Sequence, residues 1–306
     1  MNSFLKITTS ALSFAFCIGL SSCEKDALLT PPAPTPKSAD IAPETAPQTI
    51  TPTIPKKYTL VKQGEYMLTY KPDGRLASVR KGAKRTTFEY KVNPTRIIAY
   101  SSLISYNGGV ESGGVTLKIT TLYLNNDNMA LRSEVITHDL TTGQFSTPQK
   151  FGYVYENKRL VKCYNVEDPN AETTVFGYDT NGDLSSVKVE TNGRLVYSDQ
   201  YTYGNRGIPQ ADLYPLNPTF SFFGQDNSDG TALMFLPVFG KFNKHLVQTI
   251  TRTQTGPAKV LFNYGYKYNL NADGYVTDRE RWNQTTNQKI ETETSDYKVE
   301  SVPTKL

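Results

Sequence analysis

The chain has 306 residues, a formal charge of +4, 11% aromatic residues and only two histidines and three cysteines. The near-neutral balance excludes a strongly basic nucleic-acid binder. The few histidines and cysteines argue against a His/Cys metal centre or a disulfide framework.

The chain opens with a secretory pattern. Lys6 supplies a positive start, Ala11 to Leu20 form a short apolar run, and small residues follow. The run is too short to span a bilayer, which takes about 20 apolar residues. It closes on Leu20-Ser21-Ser22-Cys23, an aliphatic residue, two small residues and a cysteine. That is the order of a bacterial lipobox, and it predicts cleavage before Cys23 and acylation of its thiol and amine. Two or more acyl chains make a stable anchor where one is marginal. The sequence therefore predicts a signal peptide over 1–22 and a membrane contact through the lipid on Cys23. The acidic Glu24 and Asp26 just behind the cysteine favour the outer membrane, at the cell surface ahead of the periplasmic leaflet. Losing Lys6, the one charge of the leader, takes the mature chain from +4 to +3.

Residues 23–57 are rich in Pro, Thr and Ala, with Pro31, Pro32, Pro34, Pro36, Pro43, Pro47, Pro52 and Pro55 among them. Such a stretch has too few large apolar groups to build a core and reads as an extended tether.

Residues 58–306 read as a single repetitive β domain. An aromatic-x-aromatic pair, a polar turn and an aliphatic that starts the next strand recur. Examples are Tyr66 to Tyr70 followed by Gly74-Arg75-Leu76, Tyr153-x-Tyr155 followed by Arg159-Leu160, Phe176-x-Tyr178 followed by Gly182-x-Leu184, and Tyr264-x-Tyr266 followed by Gly274-Tyr275-Val276. Residues i and i+2 share one face of a strand, and Pro72-Asp73-Gly74 suits a tight turn. Each unit is thus a β-hairpin, and the series predicts an antiparallel meander. Strands are expected from Val115 to Leu124 and from Leu131 to Thr137 between the units, and Gly108-Gly109 and Gly113-Gly114 read as flexible hairpin ends.

These units resemble tyrosine-aspartate (Rhs-type) repeats. Together with the lipobox, the tether, the segment Phe239 to Leu246 and the closing Tyr-x-Tyr…Asp-Gly-Tyr-Val unit, they resemble a family of uncharacterised Gram-negative lipoproteins with a porin-like fold. The resemblance implies an all-β, curled or barrel-like sheet. It brings no catalytic residues and no established activity. Strands such as Lys188-Val189-Glu190 alternate charged and apolar residues, which does not suit a lipid-facing band.

No catalytic motif is present. His138 and His245 are not spaced as a pair, and no nucleophile elbow or phosphate loop occurs. Asp179, Asn181, Asp183 and Glu190 mimic a calcium loop but place Leu184 where glycine is needed, so they are read as hairpin turn residues. Cys163 reads as a small buried residue in a strand.

One stretch breaks the repeat. Between 205 and 246, prolines alternate with Tyr214, Phe220, Phe222, Phe223, Phe235 and Phe239, and Asp229 to Leu236 has the makings of a short helix stopped by Pro237. These rings either plug the sheet or line a pocket for an apolar or sugar ligand. The reading is a membrane-anchored lipoprotein with a non-enzymatic binding or structural role. Its partner is a glycan, a lipid or a protein, and no cofactor, metal or nucleic acid is implied. The alternative is a polysaccharide-acting hydrolase using a carboxylate pair that the sequence does not identify.

Overall fold

The computed structural model describes residues 56–302, apart from 94, 108–109, 169, 205–207, 210–229 and 257. Cys23, the tether up to residue 55, Tyr214, Phe220, Phe222 and Phe223 lie outside the described residues, and Lys56 and Lys57, assigned to the tether from sequence, begin the first strand.

Hairpins follow one another as the repeats require. β1 (Lys56–Gln63) pairs with β2 (Tyr66–Tyr70), and the meander continues through β3 (Leu76–Lys81), β4 (Lys84–Val92), β5 (Thr95–Asn107), β6 (Val110–Leu124) and β7 (Ala130–Asp139). The two-residue β8 (Gln144–Phe145) folds back on the end of β7, which then pairs with β9 (Gln149–Glu156). Next come β10 (Arg159–Asn165), β11 (Thr173–Tyr178), β12 (Leu184–Thr191) and β13 (Arg194–Thr202). An insert after β13 holds β14 (Ile208–Pro209), a 3-10 helix over Gly230–Phe235 and β15 (His245–Leu246), which pairs with β14. The main sheet resumes with β16 (Thr249–Gln254), paired to β13, and runs through β17 (Lys259–Leu270), β18 (Val276–Asn283) and β19 (Gln288–Ser301). β19 then pairs with β1, from Lys56 opposite Ser301 to Gln63 opposite Ser295. This pairing closes a 16-stranded antiparallel barrel with almost no helix.

β6 outruns its expected length, starting at Val110 where the sequence suggested Val115, and it forms with β5 a hairpin whose bulges fall between Ser101 and Ser102 and between Ser105 and Tyr106. Gly113 and Gly114 therefore lie inside β6, not at a hairpin end as the sequence suggested. Glycine is needed there because a Cβ on Gly114 would stand 2.9 Å from the Leu103 carbonyl oxygen.

A barrel of this strand number is wide enough to leave an aqueous channel. Here much of the interior is packed instead. Leu60, Leu68, Leu76, Val79, Phe88, Ile97, Leu122, Leu160, Phe176, Leu184 and Val187 point inward and meet Leu233, Phe235, Leu236, Val238 and Phe239 of the insert in one core. The short helix forms where the sequence placed one, and Pro237 follows it. Both ends of the insert join strands at the end of the barrel where β1 begins, called the lower end. Phe235 reaches the ring of Tyr66, which starts β2 at the upper end, with centroids 5.6 Å apart.

The outer face follows the opposite rule. Ser186, Gln200, Thr251 and Asn263 stand side by side across β12, β13, β16 and β17. Lys267, Glu280 and Thr292 are neighbours across β17 to β19, and Lys62 faces Asp296 at the β1–β19 seam. Exposed apolar residues such as Met67, Val154 and Val299 are scattered among polar ones. Among the described residues these rows form no continuous apolar band.

The tyrosines of the repeats explain the common geometry of the units. In each, the phenol donates to the carbonyl of a buried aliphatic on an earlier strand, at or next to the strand's start in every case but Leu60. Tyr70 bonds Leu60, Tyr90 bonds Leu76, Tyr178 bonds Leu160, Tyr203 bonds Leu184 and Tyr297 bonds Val276, at 2.7–2.9 Å. The insert is held in the same way, by Tyr155 on Val238 and Tyr268 on Val247. Each bond ties neighbouring hairpins together inside the barrel and satisfies a phenol that burial would otherwise strand. Burial pushes the Tyr70, Tyr90 and Tyr297 phenols up to about 12.

Candidate binding site

The aromatic insert was the sequence's candidate for ligand contact, and two of its rings fall within the described residues. Phe235 is 6% exposed and Phe239 1% exposed, and Phe239 packs edge-on to Tyr153 at 5.4 Å. Both are core residues, packed among the inward side chains of the barrel strands, and they belong to the plug.

The plug is latched by a residue that sequence reasoning assigned to a turn. Asp179 caps its hairpin by accepting from the Asp183 amide. Asp183 itself is 1% exposed. It accepts from the Lys244 amide at 2.5 Å, the His245 amide at 2.9 Å and His245 Nδ1 at 2.6 Å. Tyr203 adds a bond to Asn243 Oδ1, and the Leu184 amide donates to the Phe242 carbonyl. Two of the carboxylates that mimic a calcium loop, Asp179 and Asp183, are thus spent on the turn and on the plug. Asn125 and Asn271 cap equivalent turns ahead of Ala130 and Val276. His138 stacks on Phe145 at 4.5 Å and bonds the Thr116 carbonyl. Cys163 is buried, and burial pushes its thiol well above the ordinary range, away from nucleophilic reactivity.

The inner wall on β13 and β16–β19 is different in kind. Tyr197, Asp199 and Tyr201 alternate inward on β13, Arg252 lies on β16, Phe262, Tyr264 and Tyr266 on β17, Arg279 and Arg281 on β18, and Glu291, Glu293 and Ser295 on β19. Arg252 grips Asp199 with two bonds, Nε to Oδ1 at 2.6 Å and Nη2 to Oδ2 at 2.7 Å. Arg279 pairs with Glu293, and Arg281 lies 3.1 Å from Glu291. Each guanidinium also sits over a ring: Arg252 over Tyr197 at 4.1 Å, Arg279 over Tyr266 at 5.8 Å and Arg281 over Tyr264 at 5.0 Å. Stacking and pairing together hold the planar guanidinium groups in place. Asp199 is 2% exposed, whereas the side chains of Arg281 and Glu291 keep 31% and 37% of their surface. Water therefore reaches the wall towards the upper end of these strands.

Sequence reading missed this wall. The charges are dispersed over four strands and share no motif, and only the strand register brings them to one face. Glu172, ahead of β11, is half-buried, and burial lifts its carboxyl above the usual range. Among the described residues no cluster of His, Cys, Asp and Glu is arranged to hold a metal, and no helix is long and apolar enough to cross a membrane.

Residues 68–278 match a family described as a domain of unknown function (DUF4595) with porin-like fold. Among solved structures, the chain is similar to a porin-like protein from Bacteroides vulgatus, with a TM-score of 0.53 and 16% identity over 79% of this chain and 99% of that one. A porin-like protein from Bacteroides uniformis aligns with a TM-score of 0.47 and 14% identity over 77% of this chain and 90% of that one. The first likeness shows the fold and nothing finer. No curated protein matches the chain.

Proposed function

The chain belongs to this porin-like family of unknown function, and from that premise we propose a lipid-anchored protein of the outer membrane whose barrel stands in water and binds a ligand without turning it over. One observation carries the reading: the barrel buries its apolar side chains on a plug and turns polar rows outward. A barrel embedded in lipid needs an apolar band facing out. A barrel without one requires another attachment, and the lipobox ending at Cys23 supplies it. The Pro-rich tether then holds the barrel clear of the bilayer, on the cell surface.

Two measurements test this. Cys23→Ala should abolish metabolic labelling by palmitate and shift the protein out of the membrane fraction, and protease added to intact cells should digest the wild-type barrel. Membrane retention of unlabelled Cys23→Ala, or ion conductance by the purified barrel in planar bilayers, would sink the reading.

The hydrolase alternative keeps one supporting feature, the weakened acidity of Glu172, which suits a general acid. The wall carboxylates Asp199, Glu291 and Glu293 each face an arginine, which favours holding over proton transfer. Polysaccharide cleavage that is lost in Glu172→Gln would overturn the binding role in favour of catalysis.

A further inference from the structure

We propose that the inner wall of β1 and β16–β19 binds a neutral, hydroxyl-rich ring, a sugar residue of an uncharged glycan; the proposal rests on the binding role above and names its ligand class. Two polar atoms carry it. Gln63 is 6% exposed and points inward opposite Ser295, yet among the described residues its Oε1 has no donor. Arg281 Nε is also buried without a hydrogen bond, since Glu291 lies within ion-pair range but off the N–H direction.

A buried polar atom left unmade is costly, so each marks a place where a partner belongs. The two atoms belong to one inward-facing patch. Next to Ser295 on the same face of β19 come Glu293 and then Glu291, and these pair with Arg279 and Arg281. Gly64, the neighbour of Gln63, lies against Glu293, so that a Cβ there would meet its Cγ at 3.2 Å.

The chemistry of the patch selects the ligand. A vacant acceptor and a vacant donor at separate points of the wall call for a ligand that carries several groups able to donate and to accept. A hydroxyl does this, whereas a carboxylate only accepts and an ammonium only donates. Charge points the same way: three arginines, 252, 279 and 281, face three carboxylates, 199, 291 and 293. An ionic ligand would meet no uncompensated partner and would lose its hydration. Phe262 and Tyr264 stack 4.5 Å apart, with Arg252 over Phe262 and Arg281 over Tyr264 at 5.0 Å each, so the rings hold the two guanidinium groups in place at the patch. The ligand enters at the upper end of β18 and β19, where Arg281 and Glu291 meet water.

The test uses the mature chain. Glucose, galactose, mannose and N-acetylglucosamine, with short oligosaccharides of each, are titrated by calorimetry and saturation-transfer NMR, beside glucuronate and glucosamine. The expected result is binding of at least one neutral sugar, with its charged counterpart weaker by about tenfold or more, and a similar loss in Gln63→Leu and in Tyr264→Ala. The outer-face variant Lys62→Ala should bind as the wild type does. If Gln63→Leu does not fold, Glu291→Gln at the rim replaces it with the same expected loss. No neutral sugar bound, equal binding of charged sugars, or binding indifferent to these substitutions overturns the inference. Acylation at Cys23 with no sugar bound would refute this inference and leave the anchoring reading standing.

Discussion

The barrel interior is built in two ways. From Leu60 of β1 and on through β2 to β12 it is an apolar core filled by Leu233, Phe235, Leu236 and Phe239 of the insert. Across β13 and β16–β19 it is a lattice of arginines, carboxylates and rings. The first region stabilises by burial, and its members tolerate no water. The second keeps its charges only because each has a partner, and it leaves some of them open to solvent. The difference teaches where to look for function: a filled interior has nothing to offer a ligand, while a polar wall that reaches water does.

The largest blow to this contrast comes from the plug. Phe239→Ala removes a ring that is 1% exposed, and denaturant unfolding should show a loss of about 4 kcal/mol. A loss below about 1 kcal/mol would mean that the plug does not carry the core. On the polar wall, Arg252→Met strands the buried Asp199 carboxylate, with an expected cost of about 3 kcal/mol in the same assay. Arg252→Met combined with Asp199→Leu should recover most of that cost, because the unpaired charge is gone. If the double variant is no better than the single one, the pair is not the unit assumed here.

The tyrosine ladder links the two regions and gives a smaller effect. Tyr90→Phe deletes the donor to the Leu76 carbonyl and should cost about 1 kcal/mol. The same phenols set an alkaline limit. Their folded values, about 12 for Tyr70, Tyr90 and Tyr297, lie above the ordinary 10.0. A raised value means that the neutral form is favoured by folding, so the contribution is complete below pH 10 and is lost as pH rises towards 12. Ultraviolet titration should show these phenols ionising late and together with unfolding. Smallest of all, Lys62→Ala breaks only an outer pair with Asp296 at 3.7 Å and should change stability by less than about 0.5 kcal/mol. A larger effect would mean that the outer face is not freely hydrated.

Much of the scaffold was legible because its rules are local. Asp73-Gly74 and Asp273-Gly274 mark turns through φ values of +83 and +84 at glycine, and tyrosines two apart mark an inward face. The short helix before Pro237 was legible for the same reason. The site was not. Asp183 read as a turn residue, and its latch on Lys244 and His245 lies some sixty residues away. Gln63, Arg252, Arg281 and Glu291 look like ordinary strand residues until the register sets them on one wall.

The sequence by itself determined the antiparallel hairpins, their turns and the inward face of each strand, since backbone preference and period-two patterning act over a few residues. Only the tertiary structure decided that β19 returns to β1 and that Leu233, Phe235, Leu236 and Phe239 of the insert join the barrel core. It also decided that charges scattered from Asp199 to Glu293 share one wall. Closure, plugging and long-range pairing depend on contacts between residues far apart in the chain, and no local pattern encodes which distant partner a buried group will meet.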